Sequence, residues 1–293
     1  MHKRLFVPIT KKLIPQIKER YPFIYLEHGR LEIDDSSVKW IDANCNIVRL
    51  PVASILSILL GPGTSVTHEA IKVCASANCT ICWVGADTLI YYATGISPTS
   101  DTRIMRRQTE LSFNSKKRLE VARRMFSYRF ADIDIQNKTL SQLKGLEGLR
   151  VKKSYENYAD LYQVGWIGRR YVPGKFVMSD ITNKILTASN NALYAIILSC
   201  IITLGYSPYF GFVHTGSPLP FVYDIADLYK EKVTIELAFE LTKELGGEYN
   251  SETVANKFVE KIINLKILNK ISKDIHYILE GASIGNSNSG SSS

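Results

Sequence analysis

Residues 79–113 read CTICWVGADTLIYYATGISPTSDTRIMRRQTELSF, and the organisation of the chain turns on them. TICWVG and TLIYYA are short, apolar runs rich in β-favouring residues, separated by a turn. TGISPTSDT at 94–102 then gathers Gly, Pro, Ser and Thr, the composition of a connection. From Arg103 onward, the apolar residues fall at helical spacing. The change predicts a β region, a linker and a helical region, in that order.

The same signals continue outward. On the N-terminal side FIYLEH, RLEID, SVKWID, NIVRLP and SILSILL are further short strand candidates, broken by HGR, DDSS and DANCN. One helical segment, THEAIKVCASAN at 67–78, interrupts them. Thr67 caps its start, and Ala70, Ile71, Val73, Cys74 and Ala77 form its apolar stripe. On the C-terminal side helices are predicted near 103–130, 138–163, 180–205, 216–230, 232–245 and 251–268. The fold class is α+β: an N-terminal β domain with one small helix at 1–93, a linker at 94–102, and a C-terminal all-α domain at 103–280. The last 13 residues, GASIGNSNSGSSS, contain 11 Gly, Ser or Asn. They bury too little to offset their ordering entropy and predict a flexible tail at 281–293.

The 293 residues are 45% hydrophobic and 22% charged, which excludes a wholly disordered or collagenous chain. Lys and Arg outnumber Asp and Glu by 36 to 28, a formal charge of +8. The excess favours a polyanionic partner, nucleic acid ahead of an anionic membrane; a basic surface with no particular partner stays open. Five cysteines make no even framework, and the N-terminus has no sufficiently long apolar signal core, so a reducing, cytoplasmic setting is expected. Cys79 and Cys82 form a CxxC, a weak zinc signal that also reads as buried strand. ALYAIILSCIITLGY at 192–206 is short for a bilayer span of about 20 residues and reads as a buried helix, so no membrane is expected.

Charge is concentrated. Between 101 and 130 nine basic residues, including Arg123 and Arg124, face three acidic ones. This is an electrostatic footprint for a phosphate backbone or a solvated helix face. WIGRRYVPGK is a second cluster, in which Arg169, Arg170 and Lys175 are interleaved with Trp166 and Tyr171. Such a cluster either grips phosphate while a ring stacks on an unpaired base, or is a turn whose rings cover the core.

GFVHTGSPLPFVYDIADLYK, residues 211–230, is the chemically richest stretch. His214 precedes a turn, and Asp224 and Asp227, three apart, share one helix face. Carboxylates among apolar residues need a partner, a proton or a metal. A His with carboxylates suits Mn2+ or Mg2+ in phosphoryl chemistry; capping, or pairing with Lys230 or an arginine, is the competing reading. Glu147 stands between Gly145 and Gly148 in a helical run, where small flanks would admit a neighbouring helix or a phosphate; taken alone, it reads more readily as a helix-surface carboxylate.

GLEGLRVKKSY, WIGRRYVP and GFVHTGSPLPFVYDIADLYK in this order, with PGTSVTHEAIKVCASANCTICWVG before them, closely resemble the CRISPR-associated adaptation integrase (Cas-one) family, in its Cascade-associated, type I-E-like form. The resemblance spans roughly residues 22–245. It implies that the helical domain is catalytic and that the chain is a homodimer, two of which flank a dimer of a smaller ferredoxin-like CRISPR adaptation subunit. It implies an activity that inserts short double-stranded DNA fragments with 3′ ends into CRISPR repeat DNA, with nuclease activity on branched DNA. A repair nuclease without integration and a non-catalytic DNA-binding scaffold are the alternatives. The family's metal ligands fall on Glu147, His214 and Asp227, with Asp224 a further acidic position. Tyr194 falls near the active site and Tyr171 where the motif-adjacent end of incoming DNA is read. Lys230 is expected to add positive charge near the metal. His28 stands where relatives place a stacking tyrosine, and is expected at a hairpin tip. Ser65 and Ile90 stand where relatives use arginine on DNA, while Lys72 keeps its charge.

Overall fold

A computed structural model describes residues 15–34, 37–85, 91–95, 102–130, 135–170 and 179–281. The β region builds two four-stranded sheets. In the first, β1 (Tyr21–Leu26), β5 (Ile55–Leu60), β7 (Thr80–Val84) and β8 (Tyr91–Gly95) lie side by side in that order. The β1/β5 and β5/β7 pairs are parallel and β7/β8 antiparallel. In the second the order is β4 (Ile47–Leu50), β3 (Ser37–Asp42), β2 (Gly29–Asp34) and β6 (Thr64–Val66). The first three form an antiparallel meander, and β6 adds in parallel to β2.

Central β5 reads ILSILL and is buried at every position, as a parallel strand covered on both faces must be. Its sheet is a shared wall. Phe23, Leu59, Cys82 and Val84 face the helices. Ile58, Leu60 and Ile81 join Leu31, Val38, Trp40, Ala70 and Cys74 in a second, smaller core. Helix α1 (His68–Ser76) covers that second core, and the Thr67 hydroxyl accepts from the Ala70 N–H at 3.3 Å, the cap expected of it. Cys74, Cys79 and Cys82 are buried free thiols, and a hydrogen bond with Cys74, together with burial, pushes the Cys79 thiol well above the ordinary range.

Beyond β8 the chain is helical: α2 (Arg103–Phe113), α3 (Ser115–Arg129), α4 (Leu140–Tyr162), α5 (Ile181–Thr203), α6 (Pro220–Ala226), α7 (Glu236–Leu245), α8 (Ser251–Asn264) and α9 (Ile267–Glu280). A π-helical turn, Glu231–Ile235, leads into α7. The single helix predicted at 103–130 is two. The Asn114 side chain accepts from the Lys116 and Lys117 N–H groups and so caps α3. The helix predicted at 216–230 is shorter, because Pro220 opens α6 at its first turn. Thr94 and Gly95, the first residues of the expected linker, belong to β8; the rest of that linker up to 101, and the tail beyond 281, lie outside the described residues.

Helix α5 runs through the centre, with Ile185, Leu186, Leu193, Ile196, Ile197 and Ile201 fully enclosed. At 23 residues it extends past the apolar run read from sequence and is long enough to cross a bilayer, but 78% of its apolar window is buried inside the protein.

Candidate active site

The loop between α5 and α6 carries His214. Gln108, buried on α2, donates to the Ser207 and Phe210 carbonyls at 2.9 and 3.0 Å and accepts from the Ser207 N–H at 2.8 Å. A Cβ on Gly211 would lie 2.6 Å from the His214 carbonyl oxygen and 2.7 Å from Pro220 Cβ, so only glycine lets the loop fold onto the start of α6.

Asp224, on α6, fixes both the loop backbone and the imidazole. One of its carboxylate oxygens accepts from the Phe212 and Val213 N–H groups at 2.5 and 3.1 Å. The other accepts from the His214 backbone N–H and lies 2.8 Å from His214 Nδ1. A carboxylate only accepts, so the proton sits on Nδ1 and the Nε2 edge is left for another group. That edge faces Asp227 Oδ2 at 3.7 Å. The hydrogen bond that His214 donates to Asp224 raises the imidazole pKa against the opposing effect of burial, and the Asp227 charge adds to it. Lys230 reaches the second oxygen of Asp227 at 2.6 Å. Burial alone would lower the Lys230 pKa, but Asp227 outweighs it and holds the ammonium well above its ordinary value. The pairing of Asp227 with Lys230, one of the readings open from sequence, is therefore present.

His214 and Lys230 border a cleft of about 830 Å³ lined also by Arg169, Thr187, Asn190, Asn191, Tyr194 and Tyr223. Tyr194 packs edge-on against Tyr223 at 5.0 Å and lies under the Lys230 ammonium, also at 5.0 Å. Asn183, fully buried on α5, accepts from Arg169 at 2.8 Å and from the Arg170 backbone N–H at 2.9 Å, while Thr187 accepts from Arg169 at 3.0 Å. Arg169 thus enters the cleft from a fixed mount, and Arg170 is exposed beside it. Asn183 carries no signal in sequence, because its partners Gly168, Arg169 and Arg170 lie 13 to 15 residues away on an irregular segment. Thr234, in the π-helical turn, donates to Asn190 at 2.7 Å and ties that turn to the cleft wall.

Glu147, on α4, pairs with Arg129 at the end of α3. Arg129 in turn lines a small hollow with Asp227. Among the described residues no three His, Cys, Asp or Glu side chains are gathered as a metal cage. The three-ligand convergence expected from sequence is thus a His214–Asp227 pair, with Glu147 held on Arg129. The pair fits a divalent cation. An imidazole nitrogen with its other N–H locked, facing a carboxylate oxygen, is the mixed donor set that Mn2+ or Mg2+ accepts. Asp224 has its oxygens engaged and acts as the orienting partner of His214. Gly145 and Gly148 face open space, so neither makes room for a neighbouring helix.

The residues expected on DNA divide. Arg124 donates to the Ile278 and Leu279 carbonyls at 2.5 and 2.9 Å and closes the end of α9. Arg123 donates to the Lys138 carbonyl at 3.1 Å. Both anchor the fold through these bonds; Arg106 on α2 and Lys116 on α3 are exposed. Lys72 is exposed and paired with Glu69 at 3.1 Å. His28 is exposed, but not at a hairpin tip. It joins two different sheets with φ of 53° and donates its N–H to the Pro62 carbonyl at 2.9 Å. Tyr171, Lys175 and Ile90 lie outside the described residues.

The model of the family described as CRISPR associated protein Cas1 matches residues 23–135 and 127–246. The CRISPR-associated endonuclease Cas1 2 of Chlorobaculum tepidum is 60% identical over 276 residues, 94% of this chain and 93% of its own. The CRISPR-associated endonuclease Cas1 of Escherichia coli strain K12 is 36% identical over 80% of this chain and 77% of its own. Among solved structures, the TtCas1–DNA complex superposes with a TM-score of 0.78 at 33% identity, covering 90% of this chain and 94% of its own. The chain belongs to the Cas1 family.

Proposed function

We propose that the protein is a metal-dependent DNA endonuclease and integrase of CRISPR adaptation. In this reading the 3′ hydroxyl of a short duplex fragment attacks a phosphodiester of the repeat array, and branched DNA is cut by the same site. The observation that carries the reading is His214, locked by Asp224 and aimed at Asp227, on the wall of a cleft that it shares with Arg169, Lys230, Asn190 and Asn191. Relatives named as endonucleases and a relative solved with DNA support it.

Glu147, His214 and Asp227 would hold the Mg2+ or Mn2+ ion. When bound, the ion supplies charge neutralisation at a phosphate and lowers the pKa of an attacking hydroxyl. The chain's own groups do the rest. Arg169, mounted on Asn183 and Thr187, offers a planar donor fork for phosphate oxygens. Lys230 stays protonated beside Asp227 and adds a second positive charge. Tyr194, packed against Tyr223, keeps its ring beside that charge. Asp224 keeps the imidazole in one tautomer, so the Nε2 edge needs no reorganisation. The working assembly is proposed to be a homodimer joined to the smaller adaptation subunit and acting in the cytoplasm, with Tyr171 and His28 near the DNA ends.

The test mixes the protein with its genomic neighbour, a short duplex with free 3′ ends, a supercoiled plasmid carrying the repeat, and Mg2+ or Mn2+. Joined fragment–plasmid products are expected, and His214→Ala should abolish them with the fold intact. Cutting without joining would favour a repair nuclease. Equal DNA binding with and without metal, and no covalent change, would favour a scaffold.

A further inference from the structure

Arg129 is the last residue of α3, and its guanidinium closes on the Glu147 carboxylate of α4. The two side chains are only 14% and 15% exposed. Arg129 does not border the cleft of His214. It lines a separate hollow of about 180 Å³ whose wall also includes Asp227, Lys232 and Lys270. Asp227 therefore has His214 on one side and the Arg129 hollow on another.

The surroundings of Arg129 are fixed. Its neighbour Tyr128 donates to buried Asp274 of α9 at 2.8 Å, and Tyr229, two residues beyond Asp227, donates to the same carboxylate oxygen at 2.6 Å. The end of α3 and the segment carrying Asp227 are thus pinned to one point. The Arg129 and Arg150 guanidinium groups both lie over the Phe130 ring, at 5.0 and 4.8 Å. A cation so constrained holds Glu147 in one place, beside the hollow that Asp227 also lines.

We propose that Arg129 is a positioning residue of the metal site. It holds Glu147 near Asp227 and counters their negative charge, and a divalent cation must compete with it for the Glu147 carboxylate. The inference rests on the metal-site reading above. A merely structural ion pair would stabilise the fold and leave metal affinity unchanged.

The experiment measures Mn2+ binding to the full chain by calorimetry, without DNA. Glu147→Gln should weaken binding. Arg129→Gln, which keeps a hydrogen-bonding amide but removes the charge, should tighten it on the order of tenfold, since an adjacent charge moves a carboxylate's binding of a cation such as the proton by about one to three powers of ten. The double variant should show no such gain. Should Arg129→Gln fail to fold, the wild-type chain supplies a second readout: the Arg129 Nε–H resonance should shift on Mg2+ titration, and should not in Glu147→Gln. Folded Arg129→Gln with wild-type or weaker Mn2+ affinity, or a silent Arg129 resonance, would overturn the proposal while loss of binding in Glu147→Gln left the metal site standing. Absence of Mn2+ binding by the wild-type chain would remove the metal reading and this inference with it.

Discussion

Three backbone N–H groups and one imidazole converge on the two oxygens of Asp224, whose side chain is fully buried. Asp224→Asn turns one acceptor into a donor facing donors. A loss of about 1–3 kcal/mol is expected for a buried group left unpaired in this way, read as a lower melting temperature. The same variant tests the imidazole. Folding raises the His214 pKa, chiefly through Asp224. Its contribution to stability is therefore complete below the unfolded value of about 6.5 and fades as pH rises through the folded value. Imidazole resonances should titrate above the ordinary value in the wild-type chain without added metal, and lower in Asp224→Asn; an unchanged midpoint would contradict the assigned cause. His214, Asp224 and Asp227 were legible in the sequence because they lie within 14 consecutive residues of a dense motif. Arg129 was not, because its role depends on how the end of α3 meets α4, and charge counting sees only one more arginine in a basic run.

Among the elements, the loop from α5 to α6 is the most constrained. Gly211→Ala should cost about 1–3 kcal/mol, as overpacking against backbone does, and should displace His214. A variant with wild-type melting and activity would show that the loop has room. Helix α9 offers a second test. Arg124→Glu removes two hydrogen bonds from a charged donor to the last carbonyls of α9, each of a kind worth about 1.5–3 kcal/mol. The expected result is a fall in thermal stability larger than any direct change at a DNA surface, seen by comparing melting with Arg106→Glu. The order of strands and helices was readable from local composition, and so was the Thr67 cap. The division into two sheets was not, since the β1/β5 and β5/β7 pairings join segments far apart in sequence and β6 is only three residues long. The break at Asn114 did carry a local signal, a capping residue in mid-helix, which the continuous basic pattern obscured.

At the scale of the whole molecule, the basic excess predicts salt-sensitive DNA binding. Each phosphate neutralised contributes about −0.9 to the slope of log affinity against log salt. Neutralising Arg169 or Lys230 should shallow that slope by about one, whereas Arg124, spent on α9, should leave it unchanged; titrations at several salt concentrations separate the two groups, and a flat dependence would count against a phosphate-dominated interface.

The shared wall formed by β1, β5, β7 and β8 has a consequence for how such genes can be inherited. Strand β5 rests on α5, and the Phe23 ring of β1 meets Phe258 of α8 with centroids 6.0 Å apart. A recombination crossover between β8 and α2 would look harmless in sequence, yet it would pair one parent's sheet with another parent's α5 and α8. The offspring would inherit mismatched halves of a single interior and, through α5, a disturbed mount for Arg169 and Tyr194. Hybrids between close relatives should survive such an exchange only where residues such as 23 and 258 travel together, so the two ends of the gene are bound to a common lineage.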